Sequence, residues 1–179
     1  MELEEKTLST DVIHEGIVTD YLIKEVELPN GKKATREIVL HAPAASVLAI
    51  TKEGKAVFVK QYRKAIEQAI YEIPAGLVDD GEEPLMAAQR ELGEETGYQA
   101  GDWKIIAEFY TSVGFCNEYL YVYEATDLSK LDQALELDED EFLEVVELSY
   151  EEAMEKYRAG YMPDSKTVVG LMHWKSKLK

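Results

Sequence analysis

Glu91, Glu94 and Glu95 stand three and four residues apart in a stretch of helical periodicity. On an α-helix these positions share one face, and the carboxylates repel by a few tenths of a kcal/mol per pair, roughly, unless a cation sits among them. Anionic oxygen donors grouped in this way suit a hard divalent ion, which keeps several waters and needs only a few carboxylates. The chain has 36 acidic residues in 179, so three glutamates alone could equally be a solvated helix face. Their meaning depends on what surrounds them.

The surroundings are specific. Gly76 is followed by Glu82, then by Arg90-Glu91-Leu92, Glu94-Glu95 and Gly97. Pro84 suits a first helical position, Leu85, Ala88 and Leu92 recur at helical spacing, and Gly97 supplies a stop, so a helix is expected from Pro84 to just before Gly97. An apolar run over 69–74 reads as a strand feeding directly into Gly76. Strand, loop and helix would then place Gly76 at a backbone crossing.

Further strands are expected over 12–28 and 35–41, separated by the turn Pro29-Asn30-Gly31, and these read as a small β appendage ending at Pro43. Residues 45–51 are nearly all apolar or small, as in a strand covered on both faces. Additional strands are expected over 56–62, 103–110, 118–125 and 142–148. Ser149 and Glu152 form a capping-box pattern opening a helix to about Ala159, and a last helix begins near Ser165. Interleaved strands and helices of this kind give an α/β class around a mixed sheet.

Composition narrows the function. A net charge of −17 argues against nucleic acid as a bulk partner, because counterion release needs a basic surface. No long apolar run suggests a membrane, and the single Cys116 cannot close an intrachain disulfide, so a cytoplasmic setting is expected. An anionic substrate would need local cations to offset the charge, which draws attention to Arg36, Arg63, Arg90 and Arg158. His14, His41 and His173 show no metal-ligand spacing.

The pattern from Gly76 to Gly97 resembles the box of Nudix hydrolases, with all its fixed polar and glycine positions present. The resemblance implies an α/β/α sandwich and hydrolysis of a diphosphate linked to another group. It implies Mg²⁺, with Mn²⁺ as an alternative, held by Glu91, Glu94 and Glu95 with the Ala75 carbonyl; Arg90 would orient a glutamate and Glu82 would support the loop. Similarity to the bacterial ADP-ribose pyrophosphatase branch runs through Val26–Gly31, Arg36–Val39, Tyr71–Gly76, Tyr110–Phe115 and Asp138–Phe142. From it come a homodimer formed through residues 1–43, a hydrolase domain over 44–179, and Arg36, Arg63, Gly114 and Glu118 as substrate-binding residues. Glu94, Arg90 and a loop glutamate are the catalytic set, and both Glu139 and Glu141 match the loop position, Glu141 also as a metal ligand. The branch usually carries Ser-Pro-Gly where this chain has Ser112-Val113-Gly114. Valine does not pre-set the backbone as proline would, which leaves other nucleotide sugars open beside ADP-ribose. The rival expectation is a Nudix-fold module that senses a nucleotide without cleaving it.

Overall fold

The structure is a computed structural model that describes residues 3–133 and 142–178. Strands β1 (Lys6–Glu15), β2 (Thr19–Glu27) and β3 (Lys33–His41) form an antiparallel sheet in that order. The single run expected over 12–28 is instead the end of β1 and all of β2, broken after Glu15. Gly16 makes the break: its N–H donates to the Thr19 carbonyl at 3.1 Å, and a β-carbon there would lie 2.5 Å from that same oxygen. A side chain would therefore prevent so tight a return.

Among the described residues the second sheet has seven strands. It adds β4 (Ala44–Ile50), β5 (Ala56–Arg63), β6 (Gln68–Glu72), β7 (Ala75–Leu77), β8 (Tyr98–Tyr110), β9 (Tyr119–Lys130) and β10 (Leu143–Leu148). The path is β10-β5-β4-β9-β8, with β6 on β5 and β7 on β4. β4 runs parallel to β9, whereas β5 is antiparallel to β4, β6 and β10, so the sheet is mixed. β8 and β9 are both longer than their apolar patterns suggest. β8 is the last strand of the path and is largely exposed, so its ladder continues through polar residues that burial does not mark.

Among the described residues three helices cover this sheet: α1 (Pro84–Thr96), α2 (Tyr150–Arg158) and α3 (Ser165–Lys177). β4 is buried on both faces, as its composition predicts. Ala45, Val47 and Ala49 join Ala87, Ala88 and Leu92 of α1 in one core. On the opposite face Leu48 lies beneath Gly170 of α3, where an added β-carbon would be 3.8 Å from the Leu48 Cβ. The small residues at 45, 49, 87, 88 and 170 let the helices approach the strand closely, which gives the α/β/α layering.

By contacts the chain forms two compact units, one of residues 1–43 with 109–119 and the other of 44–108 with 120–179. In the first, the 109–119 segment is tied to β3: Val39 N–H donates to the Phe115 carbonyl at 2.7 Å, and His41 N–H donates to Asn117 Oδ1 at 2.8 Å. No helix among the described residues is long and apolar enough to cross a membrane.

Candidate active site

The site is built on α1. Pro84 opens the helix, and Gly97 closes it with φ 68° and its N–H on the Gly93 carbonyl at 2.9 Å. Between them Glu91 and Glu95 are buried and Glu94 is half-buried, an unusual placement for carboxylates without compensating partners. Arg90 supplies much of the compensation. Its Nη1 donates to Glu91 Oε1 at 2.5 Å and Glu94 Oε2 at 3.1 Å. Its Nε and Nη2 reach the two Glu82 oxygens at 3.2 and 3.1 Å, and Nη2 also donates to the Leu77 carbonyl at 2.9 Å. The Glu82 hydrogen bond, ahead of those to Glu91 and Glu94 and despite partial burial, holds the guanidinium above even the ordinary arginine range.

Glu82 in turn braces the loop before the helix. Its Oε2 accepts from the Asp79 N–H at 3.0 Å. Arg90 chiefly, together with that backbone donor, holds its carboxyl below the usual carboxylate range. The strand β7 closes the other side. Ala75 N–H donates to Glu95 Oε2 at 3.0 Å, and the α-carbon of Gly76 lies directly against the Glu91 carboxylate. Among the described residues no three His, Cys, Asp or Glu side chains converge as a ready-made metal cluster. Glu91 and Glu94 face Arg90 instead, and Glu95 faces the backbone of β7. The donor chemistry nevertheless suits a divalent cation: Glu82, Glu91 and Glu94 all reach the Arg90 guanidinium, Glu91, Glu94 and Glu95 share one helical face, and Glu91 is seated in a gap that only glycine leaves.

Arg63, at the end of β5, contributes a second cation in the same unit. Its Nε and Nη2 each donate at 2.7 Å to a different oxygen of Glu72, and its guanidinium also feels the charge of Glu95. Glu72 is a residue that sequence reasoning missed. It is 2% exposed and accepts a third bond, from Lys166 Nζ at 2.6 Å. Burial alone would raise its pKa, but the Arg63 hydrogen bonds and Lys166 outweigh this and hold it below the usual carboxylate range. Nothing local marks this glutamate, since its partners lie 9 and 94 residues away. Also in this unit, an open hollow of about 420 Å³ beside the end of β5 is lined by Lys60, Tyr62, Phe142 and Glu144, and by none of the box residues.

The remaining expected residues lie in the other unit. Arg36 donates to Glu5 through Nε at 2.8 Å and through Nη2, and its Nη1 donates to the Thr35 carbonyl at 3.0 Å. Glu118 accepts from the Thr111 hydroxyl and lies 3.8 Å from His41 Nδ1. Gly114 occupies a turn closed by Phe115 and Cys116 N–H groups on the Ser112 carbonyl, at 3.1 and 2.9 Å, with open space around its α-carbon. Glu139 and Glu141 lie outside the described residues.

The chain is similar to known proteins over most of its length. The model of the NUDIX domain matches residues 40–168. An ADP-ribose pyrophosphatase of Bacillus subtilis is 48% identical over 98% of this chain and 95% of its own. A methanol dehydrogenase activator of Bacillus methanolicus is 46% identical over 95% of this chain and 92% of its own. A crystal structure of an ADP compounds hydrolase superposes with a TM-score of 0.86 over 98% of this chain and 95% of that one, at 21% identity, a likeness of fold. The domain match covers both the sheet that carries Arg63 and the helix that carries the glutamates, and the chain belongs to the NUDIX domain family.

Proposed function

We propose that this protein hydrolyses the diphosphate of ADP-ribose to AMP and ribose 5-phosphate, using a divalent cation that is Mg²⁺ under ordinary conditions. The observation that carries the reading is the set of Glu91, Glu94 and Glu95 on one face of α1, with Glu91 packed on Gly76. Identity of 48% over nearly the full length of an enzyme named for this reaction supports the substrate. A Nudix module that senses a nucleotide without cleaving it would have no need of the intact Glu82, Arg90, Glu91, Glu94 and Glu95.

In the reaction, water adds to one phosphorus, the bridging P–O bond breaks, and the proton of the water passes to a base. Glu91, Glu94, Glu95 and the Ala75 carbonyl are the proposed holders of the cation, with Glu141 as a further ligand. When bound, the cation offsets the charge that builds on the phosphoryl oxygens. Arg90, braced by Glu82 and Leu77, fixes the directions of Glu91 and Glu94, so the helix presents them already oriented. Arg63 donates to a diphosphate oxygen, a task its fork suits better than a lysine would. A Glu141 carboxylate oxygen takes the proton of the water, and Glu139 is the alternative. Arg36, Gly114 and Glu118 are proposed as further substrate contacts. The protein is proposed to work in the cytoplasm as a homodimer.

The deciding experiment compares kcat/KM for ADP-ribose, UDP-glucose and GDP-mannose, with Mg²⁺ and with excess EDTA. ADP-ribose should rank first and EDTA should abolish turnover. The exposed Val113, in place of the expected proline, favours one second reading, a broader nucleotide-sugar pyrophosphatase. That reading predicts kcat/KM values for the three substrates within about tenfold of one another.

A further inference from the structure

Arg63 makes its two strongest bonds to a carboxylate almost wholly removed from water. The Nε and Nη2 edge of the guanidinium lies flat against Glu72, one donor to each oxygen. A side-on pair of this kind fixes both the position and the plane of the guanidinium, which a single-point contact would not. Glu72 is itself held from behind. Lys166, 10% exposed at its side chain, donates to the Glu72 Oε2 and sits 3.1 Å from Asp164 Oδ2.

Asp164 is the N-cap of α3: its Oδ2 accepts from the Thr167 N–H at 3.0 Å and from the Thr167 hydroxyl at 2.7 Å. The Thr167 hydroxyl oxygen in turn accepts from Ile73 N–H at 3.0 Å. The first turn of α3 therefore grips both the side chain of Glu72 and the backbone of its neighbour, so Glu72 cannot swing as a surface glutamate does.

Two carboxylates and two cations balance within this cluster. Arg63 nevertheless keeps 43% of its side chain exposed, and three of the five guanidinium N–H groups are not used by the Glu72 fork. A buried ion pair is by itself weak evidence of stability. Here the partner that stays exposed is also the one that feels the charge of Glu95. An arginine already immobilised on folding loses little further rotamer freedom when it receives an anion.

We propose that Glu72, held in place by Lys166, is a positioning residue that fixes the Arg63 guanidinium for the substrate diphosphate. This rests on the reading above that Arg63 contacts that diphosphate. Through Lys166 and Asp164 the first turn of α3 then sets the height and plane of the diphosphate-binding arginine, although α3 itself contributes nothing to the box.

The test is a double-mutant cycle in steady-state kinetics on ADP-ribose, read together with melting temperature. Glu72→Gln should raise KM about tenfold, with a smaller change in kcat, and Arg63→Lys should do the same. The double variant should be no worse than Arg63→Lys alone to within about twofold, because the second change removes support for a fork already lost. Glu72→Asp, which keeps the charge but withdraws it by one methylene, should shift KM in the same direction and serves if Glu72→Gln folds poorly. A lower melting temperature in Glu72→Gln and Glu72→Asp with KM unchanged, or effects that simply multiply in the double variant, would overturn the inference and leave Glu72 a structural ion pair. If Arg63→Lys itself leaves kcat/KM unchanged, the assignment of Arg63 to the diphosphate falls first, and this inference falls with it.

Discussion

Gly76 stands so close to Glu91 that a β-carbon on it would lie 2.0 Å from Glu91 Oε1 and 2.1 Å from Cδ. The glycine is therefore required by close approach rather than by backbone dihedral. Gly76→Ala should push the buried Glu91 carboxylate off Arg90 Nη1. Misplacement on the scale of 1 Å at a reacting site can reduce turnover by about 10², and a loss of that order is expected. Circular dichroism should remain that of the wild type, and kcat measured on the folded variant checks the prediction.

Glu95 accepts the Ala75 N–H, a bond that the amide oxygen of glutamine can also accept. Glu95→Gln should thus keep the crossing of β7 and α1 intact while removing one anionic donor. The loss in kcat should exceed the roughly 10- to 100-fold that accompanies changes outside the direct ligand set. Isothermal titration with Mn²⁺ in the absence of substrate should show weaker binding, and unchanged binding and turnover would remove Glu95 from the proposed ligands.

Glu141→Gln and Glu139→Gln separate the two candidates for the base. Loss of a general base lowers kcat by about 10² to 10⁴ with KM little changed. Glu141→Gln should show this and Glu139→Gln should not. Wild-type kcat in both across pH 6 to 9 would leave the proton to Glu94.

A buried carboxylate outside the box offers a pH-dependent measure of stability. Glu124 on β9 accepts from His173 Nε2 at 2.8 Å and from Lys177, both on α3. Burial pushes its pKa up, but Lys177 and then His173 outweigh this, and the folded value lies below the ordinary 4.5. A lowered folded pKa means that the contribution is present in full above pH 4.5 and disappears as pH falls through the folded value. Glu124→Gln should reduce stability by about 1–2 kcal/mol at pH 7, discounted because Lys177 is half exposed. For a chain of this size that is roughly 2–4 °C per kcal/mol. The gap in melting temperature from wild type should narrow as pH falls below 4.5.

Val12 and Ile13 of β1 and Ile17 and Val18 of the turn after it are exposed, and an exposed group of large apolar residues marks an interaction surface. Sedimentation of the full chain should give a dimer. Val12→Lys with Ile13→Lys should shift it to a monomer while leaving the secondary structure unchanged, and a monomeric wild type would remove the homodimer from the proposal.

The sequence by itself determined what is local. The spacing of Glu91, Glu94 and Glu95 placed them on one helical face, Gly97 ended that helix in the left-handed conformation it favours, and Ser149 with Glu152 formed both bonds of the capping box. These features depend on neighbours within four residues, and helical geometry alone brings such neighbours together. The long apolar run of β4 likewise announced a strand covered on both faces. The tertiary structure decided everything whose partner is distant. It paired Glu72 with Arg63 and also with Lys166, 94 residues beyond Glu72, and tied Arg36 to Glu5 across 31 residues. It split the run over 12–28 at Gly16 and extended β8 and β9 through polar residues that strand pairing, rather than burial, holds in place. It also turned three mutually repelling carboxylates towards one arginine and one backbone amide. Helical spacing fixes the face on which such groups stand, but packing supplies the charges they meet there.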